Sequence, residues 1–303
     1  MPKAARPATT AGTSQTPALW HTGRPMTILE FTALVWLGSF VAGFLGALTG
    51  LGGGVVLVPL LTLFFHVDIR YAVGASLVSV IATSSGAAAA YVKEGFSNIR
   101  IGMFLEIATT LGALLGAFVA AKVPTVAIGL IFGMVLLYSA FLSSRPQADL
   151  PGDDKPDPLA TRLRMNGSYP SLTGPRQYYV RRVPTGFGLM FGAGTLSGLL
   201  GIGSGAVKVL AMDQAMQIPF KVSTTTSNFM IGVTAAASAG IYLSRGFIDP
   251  GLAMPVMLGV LAGSLLGTRV LAKTKTQHLR WVFSAVIVVL GIEMIYHAVT
   301  GRI

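Results

Sequence analysis

The sequence of 303 residues contains no cysteine and few charged residues. The absence of cysteine excludes a disulfide framework, a thiolate metal site and a cysteine nucleophile. Asp, Glu, Lys and Arg make up only 11% of the residues, whereas a soluble domain carries about 25%. A chain with so few charges cannot cover a surface that faces water. We therefore expect lipid to surround most of it.

The abundant residues indicate the same environment. Hydrophobic residues make up 52% of the chain and the mean hydropathy is +0.69. The 37 glycines are typical of membrane helices that approach each other closely. The net charge is +11, but the basic residues lie mainly in loops between apolar runs, and no basic helix with interleaved aromatic residues indicates nucleic-acid binding.

Apolar segments divide the chain into two membrane regions. Residues 1–26 are rich in Pro, Thr and Ala and predict a disordered tail. The first membrane region covers 27–143, a polar linker covers 144–182, and the second membrane region covers 183–303. Each region contains about five apolar segments, and a membrane-crossing helix needs roughly 20 residues.

One segment in each region is too short to cross comfortably. These segments lie at 50–65 and 203–218, and both begin with clustered glycines. Whether they cross the membrane completely or re-enter on the same side stays open from the sequence.

The two membrane regions repeat each other at an offset of 151 residues. This shift aligns Gly52 with Gly203 and Ser76 with Ser227, and no gap is needed from Gly52 to Lys122. Because five segments per half is an odd number, the second half enters the membrane upside down. The sequence therefore predicts an all-α integral membrane protein of about ten segments, built as two inverted-topology repeats of five, as in many secondary transporters.

The basic residues of the loops predict the orientation. More of them lie on the side of the central linker than on the other side. The positive-inside rule then predicts a bacterial inner (plasma) membrane protein with the linker in the cytosol and both termini outside.

Glycine runs at matching positions are the first candidate for a binding site. Gly53 and Gly54 match Ser204 and Gly205, and Gly203 in the second run matches Gly52 in the first. Such runs interrupt a helix, and the N–H groups that follow form a positive concavity for an oxyanion. The alternative is close helix packing through small residues.

Polar residues on two symmetry-related segments are the second candidate. Ser76 matches Ser227, and Asn228 follows in the second half. These side chains could line a hydrated path and donate hydrogen bonds to an anion, or they could join neighbouring helices.

Ionisable residues inside apolar segments are the third candidate. Lys208 and Asp213 lie in the short segment 203–218, and Glu106 and Glu293 lie in later helices. Lys208 could neutralise an anionic substrate, pair with Glu106 or Glu293, or extend to the interface. We treat Glu106, Glu293 and Asp213 as candidates for coupling transport to an ion gradient.

The sequence lacks the motifs of metal binding, ATP hydrolysis and dinucleotide binding. The histidines form no metal constellation, no Walker lysine motif is present, and the glycine runs do not complete a dinucleotide fingerprint. We expect no metal, no cofactor and no enzymatic activity.

Several stretches together resemble a known family. They are GFLGALTGLGGG at 43–54, AVGASL at 72–77 and GFSN at 95–98, with second-half counterparts at 198–205, 226–228 and 246–249. In this pattern the chain resembles the TauE/SafE family of membrane transporters over almost all of both membrane regions. It departs from the family at Ala75, where Thr is usual, at Lys208, which one half alone carries, and in its long central loop.

The resemblance implies export of sulfite, an organosulfonate or a similar sulfur-containing anion such as sulfoacetate or thiosulfate. With the repeat, it leads to the hypothesis of a secondary transporter that works by alternating access. One alternative is uptake of the same anions, coupled to protons through Glu106 or Glu293. An alternative of another class is a membrane scaffold that acts through 144–182. The sequence identifies neither the anion nor the oligomeric state.

Overall fold

A computed structural model describes residues 27–49, 53–93, 97–143, 157–171, 174–203, 205–271 and 276–301. The predicted tail at 1–26 and the linker residues 144–156 lie outside the described residues. The helices of the first half are α1 (Ile28–Thr49), α2 (Gly54–Pro59), α3 (Ile69–Lys93), α4 (Ile99–Ala120) and α5 (Thr125–Ser143). The linker contains α6 (Pro158–Arg162), β1 (Gly167–Ser171) and β2 (Gly174–Tyr178). The helices of the second half are α7 (Val183–Leu200), α8 (Gly205–Leu210), α9 (Phe220–Ser244), α10 (Pro250–Leu271) and α11 (Thr276–Val299).

The ends of several helices follow from local side-chain chemistry. Thr27 and Glu30 form a reciprocal capping box at the start of α1, because each side chain accepts a hydrogen bond from the other residue's backbone N–H. Asn98 caps α4 by accepting from the N–H of Ile101 at 3.2 Å. Gly201 ends α7 in the left-handed region with φ of 67°, a conformation that glycine adopts without a steric penalty.

Four described helices are long and apolar enough to cross a membrane. The qualifying stretches are Ile28–Gly46, Ile99–Ala120, Val183–Leu200 and Pro250–Gly267, and further apolar helices are shorter. They lie in α1, α4, α7 and α10. The prediction of a helical membrane protein with several spans is confirmed.

Apolar side chains cover the outer faces of these helices as well as their inner faces. On α4, Leu105 is buried, whereas Met103 and Leu111 are 63% and 54% exposed. A helix that is apolar on all sides is typical of a membrane span, since its outer face contacts lipid.

The bounds of the helices recur at the offset of 151 residues found in the sequence. α2 and α8 each contain six residues and continue as a π-helical turn, at Leu60–Phe64 and Ala211–Ala215. Two residues after each π-helical turn the backbone enters the left-handed region, at His66 with φ of 54° and at Gln217 with φ of 56°. α3 and α9, and α4 and α10, also begin and end at matching positions.

The helices of the two halves pack across each other in exchanged pairs. α1 lies along α10, and α7, the counterpart of α1, lies along α4, the counterpart of α10. α3 packs against its own counterpart α9, and α5 packs against α11. Each half therefore buries its apolar surface mainly against the other half.

Glycines allow the α4–α7 pair to approach closely. A Cβ atom on Gly112 would collide with the carbonyl oxygen of Phe191, and one on Gly116 would collide with that of Thr195. Gly263 of α10 meets the backbone of α1 in the same way. Van der Waals contact between small residues is the main packing force available between helices in lipid.

The described part of the central linker is folded, whereas the sequence indicated a long loop. β1 and β2 form an antiparallel hairpin, and the Nδ2 group of Asn98 donates to Met165 O at 3.0 Å and to Tyr178 Oη at 2.7 Å. Burial raises the pKa of Tyr178, and the hydrogen bond from Asn98 opposes this effect. The linker is thus attached to the N-terminal end of α4.

Candidate functional site

The first glycine break, at Gly53 and Gly54, lies beside α3 and beside the end of α7 in the second half. The Ser76 hydroxyl donates to the carbonyl oxygen of Gly201 at 2.8 Å. A Cβ atom on Gly54 would lie 2.7 Å from Ser76 Oγ and 3.2 Å from Gly201 O. The structure therefore brings Gly54 and Ser76 together with the start of the opposite break. Gly53 packs beside Val260, whose Cγ1 would lie 2.9 Å from an added Cβ.

The second break meets α9. Gly203 has φ of 68°, and a Cβ atom there would lie 2.9 Å from Ile231 Cγ2. The Ser227 hydroxyl donates to the carbonyl oxygen of Gly205 at 3.4 Å. Ser204 lies outside the described residues.

Both predicted serines already donate their hydroxyl protons to backbone carbonyls. A serine hydroxyl has one proton to donate, so neither Ser76 nor Ser227 has a proton for an anion while these bonds hold. Their lone pairs stay available as acceptors. Asn228 is half-buried on α9, one residue after Ser227, and its amide group could supply donors instead.

A chain of buried polar groups joins the two halves at a different point. The Lys208 ammonium donates to Thr234 Oγ1 at 2.6 Å, and the Thr234 hydroxyl donates to Glu106 Oε1 at 2.7 Å. Lys208 is completely buried and Glu106 is 8% exposed. Glu106 belongs to α4 of the first half, whereas Lys208 and Thr234 belong to α8 and α9 of the second. We call these three residues the charge cluster.

The charge cluster is compensated in charge, but its hydrogen bonding is incomplete. The Thr110 hydroxyl donates to Glu106 Oε1 at 3.0 Å, while no described residue donates to the buried Oε2. The ammonium group of Lys208 has three donors, and within the described part of the chain Thr234 is the acceptor that it contacts. Buried charges normally satisfy all their hydrogen-bonding groups.

The other ionisable candidates belong to other elements of the second half. Glu293 is 53% exposed on α11, where it approaches His297 at 3.6 Å. Asp213 is half-buried in the π-helical turn after α8. The sequence left a pairing of Lys208 with either Glu106 or Glu293 open. In the structure Lys208 is connected to Glu106, and Thr234 lies between the two charged groups.

Sequence reasoning missed Thr234, which connects the two charges. Its spacing offered a signal, because Thr234 follows Ser227 by seven residues and so lies on the same face of α9. Its counterpart in the first half is Thr83, whose hydroxyl bonds to its own helix. The polar face of α9 therefore extends further than the predicted pair Ser227 and Asn228.

Hydrogen bonds join both ends of α4 to other segments. At the N-terminal end, Asn98 attaches the linker. At the C-terminal end, Arg245 donates to the carbonyl oxygens of Ala117 and Phe118 at 3.2 Å, and Arg70 donates to that of Val123 at 3.1 Å. These contacts hold both ends of the helix that carries Glu106.

Metal binding has no support among the described residues. No group of three or more His, Asp or Glu side chains in that part of the chain is placed to hold an ion. The charge cluster offers one ammonium, one hydroxyl and one carboxylate, and Thr110 beside it adds a second hydroxyl.

Comparisons with known proteins identify the family of this chain. The family model described as sulfite exporter TauE/SafE matches residues 35–294. The probable membrane transporter protein YunE of Bacillus subtilis is 28% identical over 279 residues, which cover 89% of this chain and 99% of that protein. The probable membrane transporter protein MJ0441 of Methanocaldococcus jannaschii is 26% identical over 286 residues, covering 88% and 98%.

No solved structure gives a significant match. The family match spans both halves and the linker, and the helices, the lipid-facing apolar surfaces and the relatives all indicate a multi-pass membrane transporter. The chain belongs to the sulfite exporter TauE/SafE family.

Proposed function

We propose that this protein is a secondary transporter that exports a small sulfur-containing anion by alternating access between its two halves. The observation that carries the proposal is Lys208, a completely buried cation at the contact between the halves. An ionisable residue inside a membrane protein normally faces the bundle interior and marks a substrate or ion pathway. Sulfite and organosulfonates are anions that such a cation would attract.

The anion would bind between Lys208 and the glycine breaks. The breaks include Gly54 and Gly205, which begin α2 and α8, and the residues just before them, Gly53, Gly203 and Ser204. The first N–H groups of a helix have no acceptor within it. In this proposal the serines position the breaks by binding carbonyl oxygens, so that the N–H groups are directed toward the anion. The amide of Asn228 would add a neutral donor.

The two halves would act as inverted-topology repeats of five segments each. The matching helix bounds and the exchanged pairs of α1 with α10 and α7 with α4 support a two-fold relation between them. Such repeats typically carry the substrate site at their interface, and one half rocks against the other. We place the protein in the bacterial inner membrane with the linker in the cytosol, because loop Lys and Arg residues favour that side.

The membrane potential would supply the driving force for export. A negative interior favours the exit of an anion by about 2.3 kcal/mol per charge per 100 mV. A dianion therefore gains roughly twice as much as a monoanion at the same potential.

Transport by purified protein in lipid vesicles tests the proposal. Vesicles are loaded with sulfite, sulfoacetate or thiosulfate, and efflux is followed after a negative-inside potential is imposed. We expect faster efflux than from protein-free vesicles, and a loss of this efflux in Asn228→Ala and Lys208→Leu. The matched control is Gly192→Ala, whose added methyl group has no neighbour within 4 Å. If none of the three anions moves, the substrate class is wrong.

Proton-coupled uptake of the same anions is a second candidate, and the position of Glu106 favours it. A carboxylate that shares a buried hydrogen-bonded chain with the cation is the group that would take up a proton when an anion arrives. Glu293, the other carboxylate considered for this role, is 53% exposed and does not belong to the hydrogen-bonded charge cluster.

A further inference from the structure

The charge cluster has the composition of a site at which an anion and a proton bind together. We propose that Glu106 takes up one proton each time an anion binds to Lys208, and that Thr234 switches its hydrogen bond between the two states. This inference rests on the proposed transport of an anion, and it adds the stoichiometry and the groups that enforce it.

Charge balance in a buried site gives the first step. Glu106 and Lys208 compensate each other in the structure, with Thr234 between them. A monoanion that binds the ammonium brings a second negative charge into the same apolar surroundings, and a dianion brings a third. Buried charge of one sign without compensation is strongly disfavoured, so the carboxylate becomes neutral instead.

The hydrogen bonds of Thr234 allow it to release Glu106 without losing an acceptor for its own hydroxyl proton. Its hydroxyl lies 2.7 Å from Glu106 Oε1 and 3.0 Å from the carbonyl oxygen of Met230. A hydroxyl has only one proton, so it serves one of these acceptors at a time. When Lys208 turns to an anion, Thr234 keeps an acceptor within its own helix.

One carboxylate oxygen of Glu106 accepts hydrogen bonds and the other accepts none from the described residues. Thr110 and Thr234 both contact Oε1, whereas Oε2 is buried and receives no hydrogen bond from any described residue. An incoming proton would form its O–H bond at Oε2, and the same bond breaks when the proton leaves on the opposite side. The step transfers one proton and involves no oxidation or reduction.

Few other charged groups could take this role. α4 packs against α7 and α9. α7 carries no charged residue, the one charged residue of α9 is Lys221 in its first turn, and Arg245 follows its last residue. The segment that carries Lys208 also carries Asp213, five residues further on in the π-helical turn. Glu106 is therefore the carboxylate that the structure joins to the buried cation.

The coupling makes the direction of transport depend on the charge of the anion. A dianion that moves with one proton carries one net negative charge, and a potential of 100 mV shifts its distribution about 50-fold toward the exterior. A pH difference of one unit shifts it about tenfold toward the less acidic side. A monoanion that moves with one proton carries no net charge and follows the pH gradient alone.

Thiosulfate is the probe for the experiment, because it takes up no proton itself between pH 6 and pH 8. Vesicles that contain the full-length protein are clamped at zero potential, and a pH difference of one unit is imposed. The wild type is expected to concentrate thiosulfate about tenfold on the less acidic side, with one proton per anion recorded by a trapped pH dye. Glu106→Gln is expected to equilibrate thiosulfate without concentrating it, and Glu106→Asp is expected to restore the gradient.

Glu293→Gln is the matched control, since it makes the same change at an exposed carboxylate. It is expected to concentrate thiosulfate like the wild type. Proton-free transport by the wild type, or a tenfold gradient in Glu106→Gln, overturns the coupling while leaving the transporter in place. If Glu106→Gln does not fold, the dye signal of the wild type and the gradient in Glu106→Asp decide. If thiosulfate, sulfite and sulfoacetate all fail to move under any gradient, the proposed function itself is wrong and the coupling falls with it.

Discussion

Replacing Lys208 by the residue that its repeat partner already has gives the sharpest test of the charge cluster. Leu57 occupies the matching position in the first half, and it is as completely buried as Lys208. The variant Lys208→Leu therefore changes the charge at a site whose counterpart tolerates leucine. It leaves the Glu106 carboxylate buried without its cation.

The expected loss of stability follows from that unpaired carboxylate. Removing one partner of a buried charge pair costs about 3–5 kcal/mol, whereas replacing both partners by uncharged groups is often neutral or stabilising. Lys208→Leu should lower the free energy of unfolding by that amount, and Lys208→Leu with Glu106→Gln should recover most of it. At about 2–4 °C per kcal/mol, the single variant should unfold on the order of 10 °C below the wild type.

Thermal unfolding of the detergent-solubilised protein, followed by tryptophan fluorescence, measures these differences. Leu57→Met is the matched control in the other half, and a swap of similar volume should cost less than about 1.5 kcal/mol. The reasoning is refuted if Lys208→Leu unfolds at the wild-type temperature, or if the double variant is no more stable than the single one.

Three further predictions concern the contact between α4 and α7, the linker, and Tyr178 in the linker. Gly112→Ala places a methyl group against the carbonyl oxygen of Phe191 and should cost about 1–3 kcal/mol of stability, whereas Gly192→Ala meets no neighbour and should be neutral or gain about 0.5–1 kcal/mol; equal melting temperatures would contradict the packing. Asn98→Ala removes the cap of α4 and both bonds to the linker, so we expect a loss of about 1–2 kcal/mol and faster cleavage of the linker by trypsin, and unchanged cleavage would show that Asn98 does not hold it. Burial raises the pKa of Tyr178 above its ordinary value of 10.0, so the contribution of the neutral phenol to stability is complete below about pH 10 and is lost as the pH rises further. Subtracting the tyrosine absorbance titration of Tyr178→Phe from that of the wild type isolates this group. An ordinary pKa for Tyr178 would contradict its burial.

The sequence predicted the broad architecture because repeats and apolar runs are local patterns. The offset of 151 residues, read from pairs such as Ser76 and Ser227, recurs in the bounds of α2 and α8. The short segments were recognisable because their glycines interrupt an apolar run. Their π-helical continuations were not, since a π-helical turn depends on how the surrounding helices pack rather than on a residue pattern.

The sequence predicted the members of the candidate site better than their partners. Lys208 and Glu106 were visible because a charge inside an apolar run is conspicuous. Their connection through Thr234 was not visible, because a threonine in a membrane helix usually bonds to its own backbone. The two predicted serines turned out to donate to carbonyl oxygens at the breaks, which a pattern of residue types cannot show.

Efflux of thiosulfate from vesicles tests the central claim most directly, when the wild type is compared with the double variant Lys208→Leu with Glu106→Gln. The double variant is expected to fold, since it leaves no buried charge unpaired, yet it lacks the cation that attracts the anion. We predict that a negative-inside potential drives thiosulfate out through the wild type, while efflux through the double variant stays at the level of protein-free vesicles. Efflux at the wild-type rate through a folded double variant would contradict the claim that Lys208 binds the transported anion.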